Sequence, residues 1–428
     1  MRLSANEERL MAEMTAMEII DCHEHLPPEA QRTGVPQDVF TLFSHYTRHD
    51  LFSAGMDRDR YHGNDSFSAD RPIFQSLFDQ DIPLEKRWEI FRPYWDAIKH
   101  GSYARAARLT AKMVYQVEDI DDDTYQALSE RIFAQNTPGI YRRILNDRCN
   151  IRVALTQCGR TDVGAPLVPL MPLANLTTVG SCEQLERRAD ELSISPPRSL
   201  DGYVALVQAQ LEQWIEQGTV GLKMMSGHYT TPTRHDAEEA FSAVTGGNGE
   251  AAAPQRKCLS DYLTHLVVDL AAERELVVAV HAGIWGDFRR IDSTHMLEFA
   301  PRHPDTNFDL YHLGMPSVRD TIVVAKNLPN VFLNLCWTHI ISQAQTVSGL
   351  DELIDQVPVN KVLAFGGDYA RPVEKIVGHL HMAREDYARV FAQRIDRGLM
   401  STEDAVCVLR QWFWVNPLRL YSRLDVTV

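Results

Sequence analysis

Histidine, lysine and aspartate recur at the ends of short apolar segments along this 428-residue chain. The first of these segments runs into DCHEH at 21–25, and a His-x-His pair in an extended chain places both imidazoles on one face. Later segments end at Lys223, His281, His312 and Asp368. Imidazole and carboxylate ligands without thiolate suit Zn²⁺, Mn²⁺ or Fe²⁺. Each residue alone could be an ordinary core residue, so the joint pattern carries the prediction of a divalent metal site with one or two ions.

Eight short apolar segments have the length and β-branched composition of buried strands. They lie at 18–22, 151–156, 167–173, 219–225, 276–281, 307–312, 331–336 and 362–367. Segments with helical periodicity separate most of them, and this alternation predicts an α/β fold, a (β/α)8 barrel of the TIM type. In such a barrel the C-terminal ends of all strands meet at one mouth, which would bring the polar residues together.

Two stretches depart from the strand–helix repeat. Residues 26–150 separate the first two strands by far more than an ordinary connection, and their aromatic-rich helical patterns predict an ordered cap. This cap is expected to form one structural unit with a barrel built from residues 1–25 and 151–428. Residues 226–259 contain GGNGEAAAPQ, a tract predicted to be mobile. Both insertions follow a strand end, so both are expected to line or cover the active site.

The composition narrows the class of partner. A formal charge of −15 disfavours binding to a nucleic-acid backbone. No apolar stretch has the length of a membrane-spanning helix, and the N-terminus lacks the pattern of a signal peptide. Seven cysteines without CxxC spacing indicate reduced thiols rather than a disulfide framework. We therefore expect a cytoplasmic protein with a small-molecule substrate and neither nucleic-acid nor membrane partners; a homo-oligomer stays open.

Four motifs, taken in their order along the chain, resemble the amidohydrolase superfamily, and within it the amidohydrolase-related (amidohydrolase 2) branch. They are DCHEHL, VHAGIWGDFR, YHLGMP and FGGDYARP. The long helical insertion after the first strand also resembles that of the uronate isomerases. The resemblance implies a metal, most simply Zn²⁺, held by His23, His25, His281 and Asp368.

The same resemblance assigns further roles. Asp368 would also act as general base, and His312 would polarise the substrate or bind a second metal. Lys223 occupies the position that is carbamylated in binuclear members and bridges their two metals.

Several activities fit this resemblance. The favoured one is hydrolysis, in which water activated by the metal attacks the carbonyl of a lactone, amide or related bond in a small polar or carboxylated substrate. His312 favours hydrolysis, because uronate isomerases in our reading lack a histidine at the strand-six position. Isomerisation of a sugar acid and non-oxidative decarboxylation stay open. A barrel that only binds a ligand is the least favoured, because it would have no reason to keep all six polar residues.

Further aromatic and polar residues follow the same strands and are candidates for substrate binding. An aromatic side chain beside an arginine can stack on a substrate while the guanidinium pairs with its carboxylate. The candidates are Trp285, Arg289, Tyr229, His228, Trp337 and Arg371.

Overall fold

Eight parallel strands form the centre of the molecule, as the sequence predicts. The computed structural model describes residues 3–60, 71–246, 253–284 and 286–426. The strands pair in chain order from β1 to β8. They are Ile19–Glu24, Ile151–Thr156, Leu167–Pro172, Gly221–Met225, Val277–His281, Phe308–Leu310, Val331–Asn334 and Val362–Leu363. Backbone hydrogen bonds from Cys22 N to Phe365 O (3.0 Å) and from Asp368 N to His23 O (2.8 Å) join the last strand segment to the first.

The strands are apolar on both faces because each face packs against a different layer. Along β5, Val277 and Ala279 belong to one apolar cluster, whereas Val278 and Val280 belong to the other. This period-two alternation separates the barrel interior from the contact with the surrounding helices. The longer helices around the barrel are Ala5–Ala16, Cys182–Glu191, Leu200–Glu216, Arg234–Gly246, Ala253–Ala272, Val318–Asn327, Gln343–Gln356, Lys375–Asp396, Thr402–Arg410 and Asn416–Leu420.

The long segment between β1 and β2 is helical. Its helices are Glu29–Thr33, Arg48–Ser53, Pro72–Ser76, Leu84–Ile98, Ser102–Tyr115 and Tyr125–Gln135, followed by a π-helix at Arg142–Arg148. Trp88, Phe91 and Trp95 lie on one side of their helix at i, i+3 and i+7 and are buried. The aromatic pattern of this segment therefore forms a packed core rather than an exposed surface.

The segment that follows β4 is more regular than its composition suggests. We predicted an insertion over 226–259 that departs from the strand–helix repeat, but helix Arg234–Gly246 and the start of helix Ala253–Ala272 occupy much of it. The tract predicted to be mobile falls mainly on 247–252, which lie outside the described residues. All seven cysteines lie within the described residues and are free. Among those residues, no helix is both long and apolar enough to cross a membrane.

A close contact at Gly378 holds the cap against the barrel, and it gives a stability prediction. A Cβ at Gly378 would lie 2.3 Å from Ala106 O and 2.7 Å from Thr110 Oγ1, both on cap helix Ser102–Tyr115. Gly378→Ala is therefore expected to lower the free energy of unfolding by about 1–3 kcal/mol, as overpacking does. Gly246→Ala is the matched control, because its Cβ would meet no atom of the described residues within 4 Å. Equal denaturant midpoints for the two variants would contradict the prediction.

Candidate metal centre and active site

The ends of β1 and β8 lie side by side and bring three of the predicted ligands together. Asp368 N donates to His23 O, and His25 N donates to Tyr369 O at 3.0 Å. Asp368 itself has φ +56°, a left-handed conformation that turns the chain directly after the strand segment. As a result, His23 Nε2 lies 3.4 Å and His25 Nε2 3.2 Å from Asp368 Oδ1.

The hydrogen bonds of His25 determine which of its nitrogens faces Asp368 as a lone pair. His25 Nδ1 lies 2.7 Å from the backbone oxygen of Gln157, which can only accept. The proton therefore sits on Nδ1, and the lone pair of Nε2 points to a carboxylate oxygen. Both oxygens of Asp368 are buried and have no hydrogen-bond partner in the described part of the chain. Two acceptors in such contact need a cation or a proton between them, so this group fits a divalent metal.

His281 and His312 form a second group beside the first. His312 Nδ1 donates to Cys336 O at 3.0 Å, and His281 Nε2 donates to Ile284 O at 2.6 Å. The two remaining nitrogens, His312 Nε2 and His281 Nδ1, then face each other as lone pairs 3.0 Å apart. His312 Nε2 also lies 3.9 Å from Asp368 Oδ2. This second group can hold a cation or share a proton, and it adjoins the other oxygen of the same aspartate.

Burial disfavours a proton on three of the histidines in these groups. Desolvation lowers the pKa of His23 to about 3 and that of His312 to about 4. It also lowers the pKa of His281 well below its ordinary value. Neutral imidazoles beside a buried carboxylate are the protonation state in which these side chains bind metal.

Two further residues at the mouth were not among the sequence candidates. Cys336 follows β7 and lies with His312 and Asp368 in a group whose ligand atoms are within 4.8 Å of one another. Burial raises its thiol pKa well above the usual value, so without a metal it is a thiol rather than a thiolate. His45 belongs to the cap, and its ring centroid lies 5.8 Å from that of His25. The position of Cys336 at a strand end could have identified it from the sequence, whereas no sequence pattern points to His45.

The remaining strand-end candidates have other neighbours. His281 contacts His312 rather than the carboxylate of Asp368. Lys223 Nζ lies 4.8 Å from the ring centre of Tyr311, and burial lowers its pKa to about 8. Their roles as ligands stay predictions.

The candidates for substrate binding lie in different environments. Arg289 is paired with Asp287 at 2.7 Å and its side chain is 81% exposed, and His228 is also exposed. Tyr229 donates its hydroxyl to Met225 O (2.8 Å), and Trp337 is buried with its indole N–H donated to Tyr103 OH (3.0 Å). Trp285 lies outside the described residues. Arg371 lies beside the cavity described next.

A cavity of about 350 Å³ lies between the cap and the loop after β8. Its lining includes His45, Arg48, Phe74, Phe78, Ala370 and Arg371. A larger cavity of about 790 Å³ lies at the opposite end of the barrel, at the start of β2 and β3, and neither cavity is lined by a predicted metal ligand. The smaller cavity is the candidate substrate site, because its lining includes His45 and the loop that follows Asp368.

A buried histidine behind Trp337 gives a prediction for pH dependence. His379 is fully buried among Trp337, Phe365 and Tyr369, and neither ring nitrogen has a hydrogen-bond partner within the described ranges. Burial lowers its pKa well below the ordinary value of 6.5. The unfolded chain therefore binds a proton that the folded chain does not, and stability falls as the pH drops below about 6.5.

His379→Phe is expected to flatten this dependence by up to about 1.4 kcal/mol per pH unit. The measurement is the free energy of unfolding at several pH values between neutral and acid. His235→Phe, at an exposed histidine, is the control and should leave the slope unchanged. An unchanged slope in His379→Phe would show that this histidine takes up a proton in the folded state.

Comparison with known proteins connects this geometry to a family. The family model described as amidohydrolase matches residues 176–423, more than half of the chain. The chain belongs to this amidohydrolase family. The match agrees with the resemblance seen in the sequence motifs. No curated protein matches the chain significantly.

Solved structures of similar fold extend the likeness beyond the barrel. Uronate isomerase from Thermotoga maritima is 14% identical, with a TM-score of 0.76 and 98% of each chain covered. Glucuronate isomerase from Caulobacter crescentus is 16% identical, with a TM-score of 0.75, covering 98% of this chain and 94% of its own. Uronate isomerase from Bacillus halodurans is 13% identical, with a TM-score of 0.70 and 99% of each chain covered. At these identities the likeness concerns the fold of barrel and cap together.

Proposed function

We propose that this amidohydrolase-family chain is a metal-dependent hydrolase of a lactone, amide or related bond in a small carboxylated substrate. The supporting observation is that two groups of histidine nitrogens share one buried aspartate. His23 and His25 face one oxygen of Asp368, and His312 faces the other. A divalent cation bound there, most simply Zn²⁺, would polarise the carbonyl and lower the pKa of the water nucleophile.

The residues of the chain itself would then move the proton. Asp368 is ionised, buried and free of competing hydrogen bonds from the described residues, so it can accept the proton of the attacking water. Its other oxygen lies on the side of His312, from which the same proton can pass to the leaving group. Lys223, with a pKa near 8, is mostly protonated at neutral pH and adds a positive charge beside these groups. That charge would stabilise negative charge developing on the carbonyl oxygen.

A second candidate is isomerisation of a uronate, in which a proton moves between adjacent carbons without hydrolytic water. Its support is the cap, because the uronate isomerases of similar fold align with almost the whole chain. The cap residue His45 lies near His25 at the cavity and would be a second proton carrier beside Asp368. Decarboxylation shares the same metal groups, and no further observation favours it.

One experiment separates the two candidates. The Zn²⁺-loaded protein is incubated in deuterated water with a panel of lactones, N-acyl amino acids and uronates, and NMR follows both hydrolysis and deuterium exchange. Hydrolysis of one class without exchange on carbon supports the hydrolase. Exchange and conversion of a uronate would replace that proposal with the isomerase. Metal-loaded protein that does neither would contradict both, and Asp368→Asn serves as the inactive control.

A further inference from the structure

The cavity between the cap and the loop after β8 has features that bear on the substrate. None of the residues of the candidate metal groups lines it, but two of its lining residues lie near them. His45 in its lining lies 5.8 Å, ring to ring, from His25, and Arg371 in its lining follows Asp368 by three positions. At about 350 Å³ the cavity is at the small end of the range for ligand sites. A molecule bound in it would contact His45, whose ring neighbours that of His25.

Two arginines line this cavity. Arg48 and Arg371 both contribute to the lining, and no aspartate or glutamate of the described residues does so. The Arg371 side chain is exposed, and within the described ranges it forms no ion pair with a carboxylate. A guanidinium with this freedom can bind a carboxylate through two parallel hydrogen bonds. The cavity is therefore suited to an anionic group on its occupant.

Two phenylalanines also line the cavity. Phe74 and Phe78 are partly buried, with ring centroids 5.1 Å apart at an interplanar angle of 65°. Phe52 packs edge-on against Phe74 from behind at 5.4 Å. Ser44 and Gln75 also line the cavity, and the hydroxyl of Ser44 already donates to Thr41 O at 2.7 Å. A hydroxyl placed against the two phenylalanine rings would have no partner there, and an unpaired buried hydroxyl is costly.

We propose that the substrate of this site carries one carboxylate, bound by Arg371, on an apolar or aromatic body that packs against Phe74 and Phe78. The enzyme then prefers aryl or alkyl carboxylic acid derivatives to polyhydroxylated sugar acids. This inference rests on the proposed function, because it places the substrate beside the same metal groups. It adds that the part of the substrate that faces the cap is apolar or aromatic.

The test is a comparison of three probes by calorimetry with the Zn²⁺-loaded full chain. Phenylacetate has the charge and the ring, phenylacetamide has the ring without the charge, and D-glucuronate has the charge with hydroxyls. Phenylacetate is expected to bind at least about tenfold more tightly than either of the others. Tighter or equal binding of glucuronate, or no measurable binding of phenylacetate, would overturn the proposal.

Two variants assign the preference to the residues named. Phe78→Ala is expected to weaken phenylacetate binding about tenfold or more and to leave glucuronate unchanged. Arg371→Gln should reduce phenylacetate to the affinity of phenylacetamide. Phe133→Ala, at a 63%-exposed cap residue outside the cavity lining, is the matched control and should change neither. Unfolding midpoints show whether each variant is folded, and a folded Phe78→Ala that binds phenylacetate normally would also overturn the proposal.

These measurements do not depend on turnover. If the hydrolase proposal fails, the ranking of the three probes is still measured, because binding is observed with stable compounds. If the ranking fails while a lactone or amide is hydrolysed, the proposed function survives without the substrate class.

Discussion

Asp368→Asn is expected to lower kcat/KM by about 10³-fold or more and to reduce the metal bound per chain. The substitution keeps the shape of the side chain but removes the negative charge that faces both groups of histidine nitrogens. It also removes the acceptor proposed for the proton of the nucleophile, a role worth about 10²–10⁴-fold by itself. The measurements are steady-state kinetics on the best substrate of the panel and metal content by elemental analysis.

Asp309→Asn is the matched control for this variant. Asp309 is also a buried aspartate of the barrel, but its carboxylate accepts from Asn334 Nδ2 (2.9 Å) and Tyr421 OH (2.6 Å). It belongs to neither candidate metal group, so its variant should keep the metal content even if the stability changes. Full metal content and activity in Asp368→Asn would exclude this aspartate as the shared ligand.

Removal of the metal is expected to lower the stability of the fold. A ligand at about 1,000 times its dissociation constant contributes about 4 kcal/mol to the free energy of unfolding. The groups at the mouth join β1 to the segment after β8, so a bound cation links the two ends of the strand series. Treatment with a chelator should therefore lower the unfolding midpoint, and added Zn²⁺ should restore it.

His25→Phe is expected to abolish this response to Zn²⁺. The variant removes the Nε2 lone pair that faces Asp368 at 3.2 Å. His235→Phe, at an exposed histidine on helix Arg234–Gly246, should respond as the unaltered protein does. A midpoint that is the same with and without metal in the unaltered protein would contradict the metal site itself.

Most of the fold could be predicted because it depends on local patterns. Each of the eight strands lies at or within a few residues of its predicted position, since a strand buried on both faces is a short run of β-branched and apolar residues. The helices around residues 234–272 were predicted less well. Their sequence is rich in alanine and glycine near 246–252, and composition alone does not distinguish a helix end from a flexible tract.

The arrangement of the candidate site could also be predicted only in part. His23, His25, His312 and Asp368 stand at strand ends, so their meeting at one mouth follows from the barrel topology. The orientation of His281 does not follow from it, because the backbone oxygen of Ile284 turns its Nε2 away. The approach of His45 depends on how the cap folds back over the barrel, and no periodic pattern encodes that.

The sequence by itself therefore determined the barrel, the long insertion and the polar side chains that stand at several strand ends. Parallel strands carry this information locally, because all their C-terminal ends must emerge on one side. Only the tertiary structure decided which lone pairs face Asp368 and which cap residues line the cavity beside it. Those features rest on contacts between distant segments, such as His25 with Gln157, which are 132 positions apart. Such contacts are made only after the chain has folded.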